Sequence, residues 1–188
     1  MPYRLAFDAR GRFCGQKVKN INMNFIVVLA SSRTNGNTGN LAQAVAGRLQ
    51  AEIIDLSRFS IAYFDYEHHN AGDDFLPLID RLTSFDCIIF ATPVYWYSMS
   101  AQLKTFFDRL TDVLTINQTL GRKLQGTSVS VIATGSQSAL PASFTQQFEL
   151  ICAYLGLPFT PPLYCSCPSG FNLQQHHQAI QAYVSNIL

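Results

Sequence analysis

Charge is scarce in this chain. Only 13% of its 188 residues are Asp, Glu, Lys or Arg, where an ordinary soluble domain carries about a quarter. The 13 basic and 12 acidic residues nearly cancel, and no basic stripe with interleaved aromatics is present, so nucleic acid is not expected as a partner. No apolar run approaches the ~20 residues of a membrane helix, so no membrane partner is expected. Cysteine is also sparse: Cys14, Cys87, Cys152, Cys165 and Cys167. An odd count at scattered spacing makes a poor disulfide framework. The single residue between Cys165 and Cys167 suits neither a redox C-x-x-C nor a zinc pair. These thiols read as packed small hydrophobes in a reducing, cytoplasmic compartment.

What the chain does contain is apolar material, 48% of its residues. That is enough for a large single core and argues against disorder. It also hints that a cofactor or another subunit covers some surface. Residues 1–22 carry five basic residues without an apolar signal core or a sustained period. They are expected to be a loosely ordered extension ahead of one domain over 23–188.

From Phe25 onward, short apolar runs alternate with amphipathic stretches. Residues 25–30 form a β-branched apolar run, as in a strand covered on both faces. A helix is expected over 39–50, with Leu41, Ala44, Val45 and Leu49 inward, and a strand over 52–56. Asp73 and Asp74 are N-cap candidates for a helix reaching Ser84. A strand over 87–91 precedes one long helix, capped by Ser100, whose inward positions run from Leu103 to Leu114. A strand over 128–133 leads to a helix opened by a Ser143/Gln146 capping box. A weak fifth strand spans 159–164, and a last helix buries Ile180, Tyr183, Val184 and Ile187. This repeated strand–helix alternation predicts an α/β fold, a parallel sheet with helices on both faces. Ligands of such sheets sit beyond the carboxyl ends of the strands, where loops 31–38, 92–99 and 134–140 emerge.

Ser31-Ser32-Arg33-Thr34-Asn35-Gly36-Asn37-Thr38 joins a buried strand to a helix. Free backbone amides and the positive helix terminus suit a phosphate there, and Arg33 adds a guanidinium. The loop lacks the Lys-Ser/Thr of an ATP-binding P-loop and is not G-x-G-x-x-G, which disfavours ATP and dinucleotides on it. A plain capped turn is the competing reading. The loop from Thr92 to Ser100 carries Tyr95, Trp96 and Tyr97 in a row. Aromatic faces naturally cover a flat conjugated ring; the alternative is a cluster packed on the protein itself or on a subunit. Taken together, the loops ask for a ligand with a phosphate and a planar ring.

Three segments carry a family resemblance over residues 24 to about 165. One is the Ser31–Thr38 loop. The longest and most specific is Ala91-Thr92-Pro93-Val94-Tyr95-Trp96-Tyr97-Ser98-Met99-Ser100-Ala101-Gln102-Leu103-Lys104-Thr105-Phe106-Phe107-Asp108-Arg109. Thr134-Gly135-Ser136 is a weaker third. On these the sequence resembles the NAD(P)H-dependent FMN reductase branch of the flavodoxin-like superfamily. The resemblance implies a five-stranded parallel sheet of order 2-1-3-4-5 and an FMN cofactor reduced by NADPH or NADH. Hydride would pass to the flavin N5 and on to a small acceptor such as a quinone or free flavin, with no side chain named as catalytic. Ser31, Arg33, Asn37 and Thr38 match the phosphate binders. Pro93, Val94, Tyr95, Trp96 and Ser98 match the loop lining the isoalloxazine, and Gly135 the third loop. Lys104, Asp108 and Arg109 match a mostly structural helix often found at a dimer interface, which together with that helix's aromatics leads us to expect a homodimer or higher homo-oligomer. Ala30 stands where the family usually has glycine. Where some relatives carry iron–sulfur cysteines, this chain has Tyr63 to His69 without cysteine, so a cluster is not expected. His68 and His69 read as solvated residues rather than metal ligands, and His176 and His177 as surface residues of the last helix. The alternative function is a non-catalytic electron shuttle, although such proteins are usually strongly acidic. A module that has lost FMN is disfavoured by the intact phosphate loop.

Overall fold

The computed structural model describes residues 23–188; the expectation for residues 1–22 lies outside them. Five parallel strands alternate with helices: β1 (Phe25–Leu29), α1 (Asn37–Leu49), β2 (Glu52–Asp55), α2 (Phe75–Leu82), β3 (Cys87–Pro93), α3 (Ala101–Arg109), α4 (Thr111–Thr115), α5 (Gln118–Leu124), β4 (Ser128–Gly135), α6 (Ala142–Leu155), β5 (Leu163–Ser166) and α7 (Leu173–Ile187). The sheet order is β2-β1-β3-β4-β5. That is the expected flavodoxin-like arrangement, and it places β1 and β3 side by side at the centre.

Alternation along each strand splits the core into two layers. Phe25, Val27 and Leu29 of β1, with Cys87, Ile89 and Ala91 of β3, face Leu41, Ala42 and Val45 of α1 and Ile180, Tyr183 and Val184 of α7. Ile26, Val28, Ile88 and Phe90 face Phe75 and Ile79 of α2, Leu103 and Phe106 of α3, and Phe144 and Phe148 of α6. Both faces of β1 and β3 are thus apolar, which is why these runs show no polar alternation in sequence.

Several local expectations need correction. The helix capped by Ser100 does not run unbroken to residue 115; it ends at Arg109 and restarts as α4. The capping itself holds, since Ser100 Oγ accepts from Leu103 N at 3.2 Å. The helix α5 falls outside the periodic segments. The Ser143/Gln146 box does not form: α6 begins at Ala142 with Pro141 in the cap position and no side-chain cap bond, and the Pro141 carbonyl accepts from Phe144 N at 3.0 Å. The fifth strand is Leu163–Ser166, beyond Pro161 and Pro162, whose missing amides cannot join a ladder. Of the 159–164 stretch, Phe159 retains only an isolated bridge to Val129. Asp74 occupies the α2 cap position without capping it. Its Oδ2 accepts from Ser60 N at 2.6 Å, while Asp73 Oδ1 accepts from Phe75 N at 2.9 Å.

Candidate functional site

The loop leaving β1 is pinned before it turns. Ser100 Oγ donates to Ala30 O at 2.8 Å, and Thr92 Oγ1 accepts from Ser100 N at 3.0 Å. Two buried hydroxyls thus bind the ends of β1 and β3 to the start of α3. Ala30 is fully buried, so its methyl is accommodated where glycine was the family habit.

Beyond Ala30 the chain closes a turn, Gly36 N donating to Arg33 O at 3.1 Å, and enters α1 at Asn37, two residues earlier than periodicity suggests. Among the described residues, the backbone amides of Ser32, Thr34, Asn35, Asn37 and Thr38 take no backbone acceptor. They stand at the positive end of a 13-residue helix. Gly39 makes the turn possible, because a Cβ there would sit 1.7 Å from Thr34 O. Thr34 Oγ1 donates to Asp55 Oδ2 at 2.6 Å. Burial opposes ionisation of Asp55, but hydrogen bonds from Thr34 and Ser57, with nearby Arg58, hold its carboxyl below the usual range.

The predicted phosphate residues divide. Ser31 and Thr38 are buried, and Arg33 is exposed at the rim. Thr38 Oγ1 lies 2.7 Å from Thr134 Oγ1, joining the first loop to the end of β4. The Asn37 amide is spent within the protein: Nδ2 donates to Cys167 O at 3.4 Å, and Oδ1 accepts from Phe171 N at 3.0 Å.

The aromatic loop is a two-residue hairpin. Tyr95 N donates to Ser98 O at 2.9 Å and Ser98 N to Tyr95 O at 3.0 Å, with Trp96 and Tyr97 at φ 49° and 65°. Positive φ at both central positions defines a type I′ turn, which favours Asn-Gly. A Trp-Tyr pair there is strained by roughly 1 kcal/mol or more per residue, and Trp96 is 94% exposed. Replacing Trp96-Tyr97 by Asn-Gly is therefore expected to stabilise the protein by about 1–2 kcal/mol. Urea unfolding midpoints measure it, and no gain would show that the turn is not strained. Ser98 Oγ, expected to face the ring, donates instead to Gln147 Oε1 of α6 at 2.8 Å.

Three segments converge at the carboxyl ends of β3 and β4. Val94 N donates to Thr134 O at 2.8 Å, and Pro93 is the last residue of β3. A cavity of about 200 Å³ opens beside them, lined by Val94, Trp96, Tyr97, Gly135, Gln137 and Tyr164. A larger recess, about 390 Å³, runs along the β2 edge. It contains no aromatic loop, and its Arg81 is already paired with Glu52, so volume does not select the site. The phosphate and aromatic loops meet directly: Ser32 Oγ and Tyr95 OH are 3.3 Å apart. Sequence reasoning missed Gly39, Thr92, Thr134 and Tyr164. The spacing N-T-G-N hinted at the first; nothing local marks the last.

Two of the histidines, His68 and His176, differ from expectation. His68 is half-buried, with Nδ1 3.1 Å from Asp112 Oδ1, whereas His69 is exposed on Asp65 at 2.7 Å. His176 stacks on Phe171, with Nε2 3.8 Å from Cys167 Sγ. Cys87, Cys152, Cys165 and Cys167 are buried free thiols. Burial pushes Cys87, Cys152 and Cys165 up to about 12, which matches inert packing rather than redox chemistry.

Residues 23–171 match the model of the NADPH-dependent FMN reductase family. YwqN of Bacillus subtilis (strain 168), whose name classes it with NAD(P)H-dependent FMN-containing oxidoreductases, is 31% identical over 85% of this chain and 94% of its own. An FMN-dependent NADH:quinone oxidoreductase of Streptomyces coelicolor is 33% identical over a shorter segment, 43% of this chain and 36% of its own. In three dimensions, the Trp repressor binding protein of Bacillus subtilis superposes with a TM-score of 0.71 at 26% identity, covering 88% of this chain and 98% of its own. The chain belongs to the NADPH-dependent FMN reductase family, flavin-dependent oxidoreductases that draw on a nicotinamide and are built here on the flavodoxin-like fold.

Proposed function

We propose that this protein passes electrons from NADPH or NADH to a small acceptor, a quinone or free flavin, over an FMN held by loops 31–38, 93–98 and 134–137. The supporting observation is the 3.3 Å approach of Ser32 Oγ and Tyr95 OH, which joins a turn of free amides to an aromatic-walled cavity. The donor set fits the cofactor. The amides of the turn, with Ser31, Arg33 and Thr38, suit a phosphate. Asn37 contributes through its backbone amide, since its side chain anchors the 167–171 loop. Pro93, Val94, Tyr95, Trp96 and Gly135 offer the flat wall a tricyclic ring needs, and Ser98 holds the hairpin against α6. When bound, FMN supplies the hydride and electron chemistry. The chain's residues bind it, orient it and exclude water from one face. The quinone reading draws on the name of the Streptomyces relative.

The test uses Trp96, the only tryptophan of the chain. FMN titration is expected to quench its emission with saturation, and anaerobic NADPH or NADH is then expected to bleach the bound flavin rapidly. Saturating binding without bleaching would mean an electron shuttle instead; no binding would end the FMN reading.

Two lesser expectations are carried as proposals. No described helix is long and apolar enough to cross a membrane; the cytoplasmic setting is proposed on the buried free thiols, which suit a reducing compartment. Self-association is also proposed, on different grounds from those in the sequence. Phe106 and Phe107 are spent in the core, while Leu114, Leu150 and Tyr154 remain 40%, 64% and 80% exposed around a groove between α3–α4 and α6. Sedimentation equilibrium is expected to show a dimer that Leu150→Glu/Tyr154→Glu converts to monomer. A wild-type monomer at micromolar concentration would refute it.

A further inference from the structure

Tyr164 lies in the ring-side cavity, yet no sequence motif includes it. It sits on β5, its side chain half-buried and lining the cavity with Val94, Trp96 and Gly135. Its hydroxyl donates to Gln137 O at 2.7 Å, two residues beyond β4. The phenol also lies so close to Gly135 that an added Cβ would fall 2.8 Å from the Tyr164 oxygen and 3.4 Å from Val94 Cβ. Gly135 is therefore clamped between the aromatic loop and the β5 tyrosine, and the same tyrosine holds the chain that follows. Cys167 N adds a second tie from β5's end, donating to Gly135 O at 2.7 Å.

We propose that Tyr164 is a positioning residue for the flavin ring, fixing the Gly135–Gln137 segment so that its backbone forms one wall of the ring pocket. The inference rests on the FMN reading above. Tyr164 acts through the loop: the phenol spans β5 and loop 135–137, and only Gly135 leaves room for it. Burial and the neighbouring Cys167 and Cys165 raise its ionisation above the usual tyrosine range, so the phenol stays protonated and remains a donor.

A mutant cycle tests it, with FMN affinity, the visible spectrum and midpoint potential of bound FMN, and apoprotein melting as readouts. Tyr164→Phe removes one hydrogen bond and is expected to weaken FMN binding about fivefold. It should also shift the flavin spectrum and potential while leaving the apoprotein melt near wild type. Gly135→Ala is expected to weaken binding tenfold or more in the wild-type background. In the Tyr164→Phe background, where the colliding oxygen is gone, the same substitution is expected to cost threefold or less. Equal costs in both backgrounds would overturn the proposal. So would a Tyr164→Phe variant whose FMN affinity and spectrum match wild type, or one that only melts earlier. Failure of the wild type to bind FMN would instead defeat the underlying reading.

Discussion

Gly39→Ala is expected to weaken FMN binding about 100-fold and to destabilise the apoprotein, although alanine is the better helix former. Gly39 is the third residue of α1, and propensity alone would favour alanine there by about 1 kcal/mol. The new methyl would lie 1.7 Å from the Thr34 carbonyl oxygen and 2.7 Å from its carbon. Neither is the far end of a flexible side chain, so the turn itself has to move. Overpacking of this kind typically costs 1–3 kcal/mol, which outweighs the propensity gain. A displaced turn also carries its amides off the phosphate. Losing two charge-assisted hydrogen bonds, at roughly 1.5 kcal/mol each, gives about a 100-fold loss of affinity. Gly47 of the same helix supplies the control, because it is exposed and a Cβ there meets nothing within 4 Å. Gly47→Ala is expected to stabilise by about 0.5–1 kcal/mol and to leave FMN affinity unchanged. Fluorescence titration and thermal melts of the two variants should therefore move apart. A Gly39→Ala protein that binds FMN normally would show that the turn does not hold the phosphate.

The same helix shows what sequence can and cannot reveal. Leu41 and Val45 declare their core face through period and composition alone, although the fully buried Ala42 lies outside the expected stripe and Ala44 and Leu49 are only partly buried. The order of polar residues in 31–38 marks a turn. Burial is a property of single residues, and the pattern records it. Contacts across the sheet leave no such record. Nothing near Asn37 in sequence shows that its amide is spent on residues 167 and 171, 130 and 134 positions away. Nothing near Ser98 points to Gln147, 49 positions on. Both side chains matched the family's ligand-facing positions, yet both are tied to the protein. Tyr164 belongs to none of the recognised motifs because its importance arises only once β5 is laid beside β4. The 100–115 stretch failed differently. Its apolar period runs through the break at Leu110, because α3 and α4 bury the same face of the chain while Arg109 forces a polar network at the join.

That network supports the largest stability prediction. Lys104, Asp108 and Arg109 look alike as charges on one helix, but Lys104 and Asp108 form an exposed i,i+4 pair at 2.5 Å, worth about 0.3–0.5 kcal/mol. Arg109 is fully buried. Its Nε donates to Asp112 Oδ2 at 2.8 Å, its Nη1 to Asp73 Oδ2 at 2.5 Å and to Ala62 O at 3.1 Å, and its guanidinium lies 4.9 Å from the Phe75 ring centroid. Asp112 is itself buried and shared with His68, so the cluster ties the 62–74 loop to the α3–α4 join. Arg109→Met keeps the length of the chain but leaves two carboxylates without their cation. Breaking a buried pair from one side costs about 3–5 kcal/mol, against a few tenths for Lys104→Ala. The difference is also expected to depend on pH. Burial opposes ionisation of Asp73, but hydrogen bonds from Arg109 and from the Ala62 and Phe75 amides outweigh it and hold the carboxyl below its usual range. A depressed carboxylate stabilises the fold above its unfolded pKa, near 4, and that stabilisation is lost as pH falls through the folded value. In Arg109→Met the Asp73 carboxyl loses the guanidinium hydrogen bonds that held it down, so acid relieves part of the defect. The gap between wild type and variant, read from urea unfolding, should thus be widest near pH 7 and shrink below about pH 4. A gap that is small at neutral pH would show that Arg109 does not hold the cluster together, and one that grows in acid would show that it does not act through Asp73.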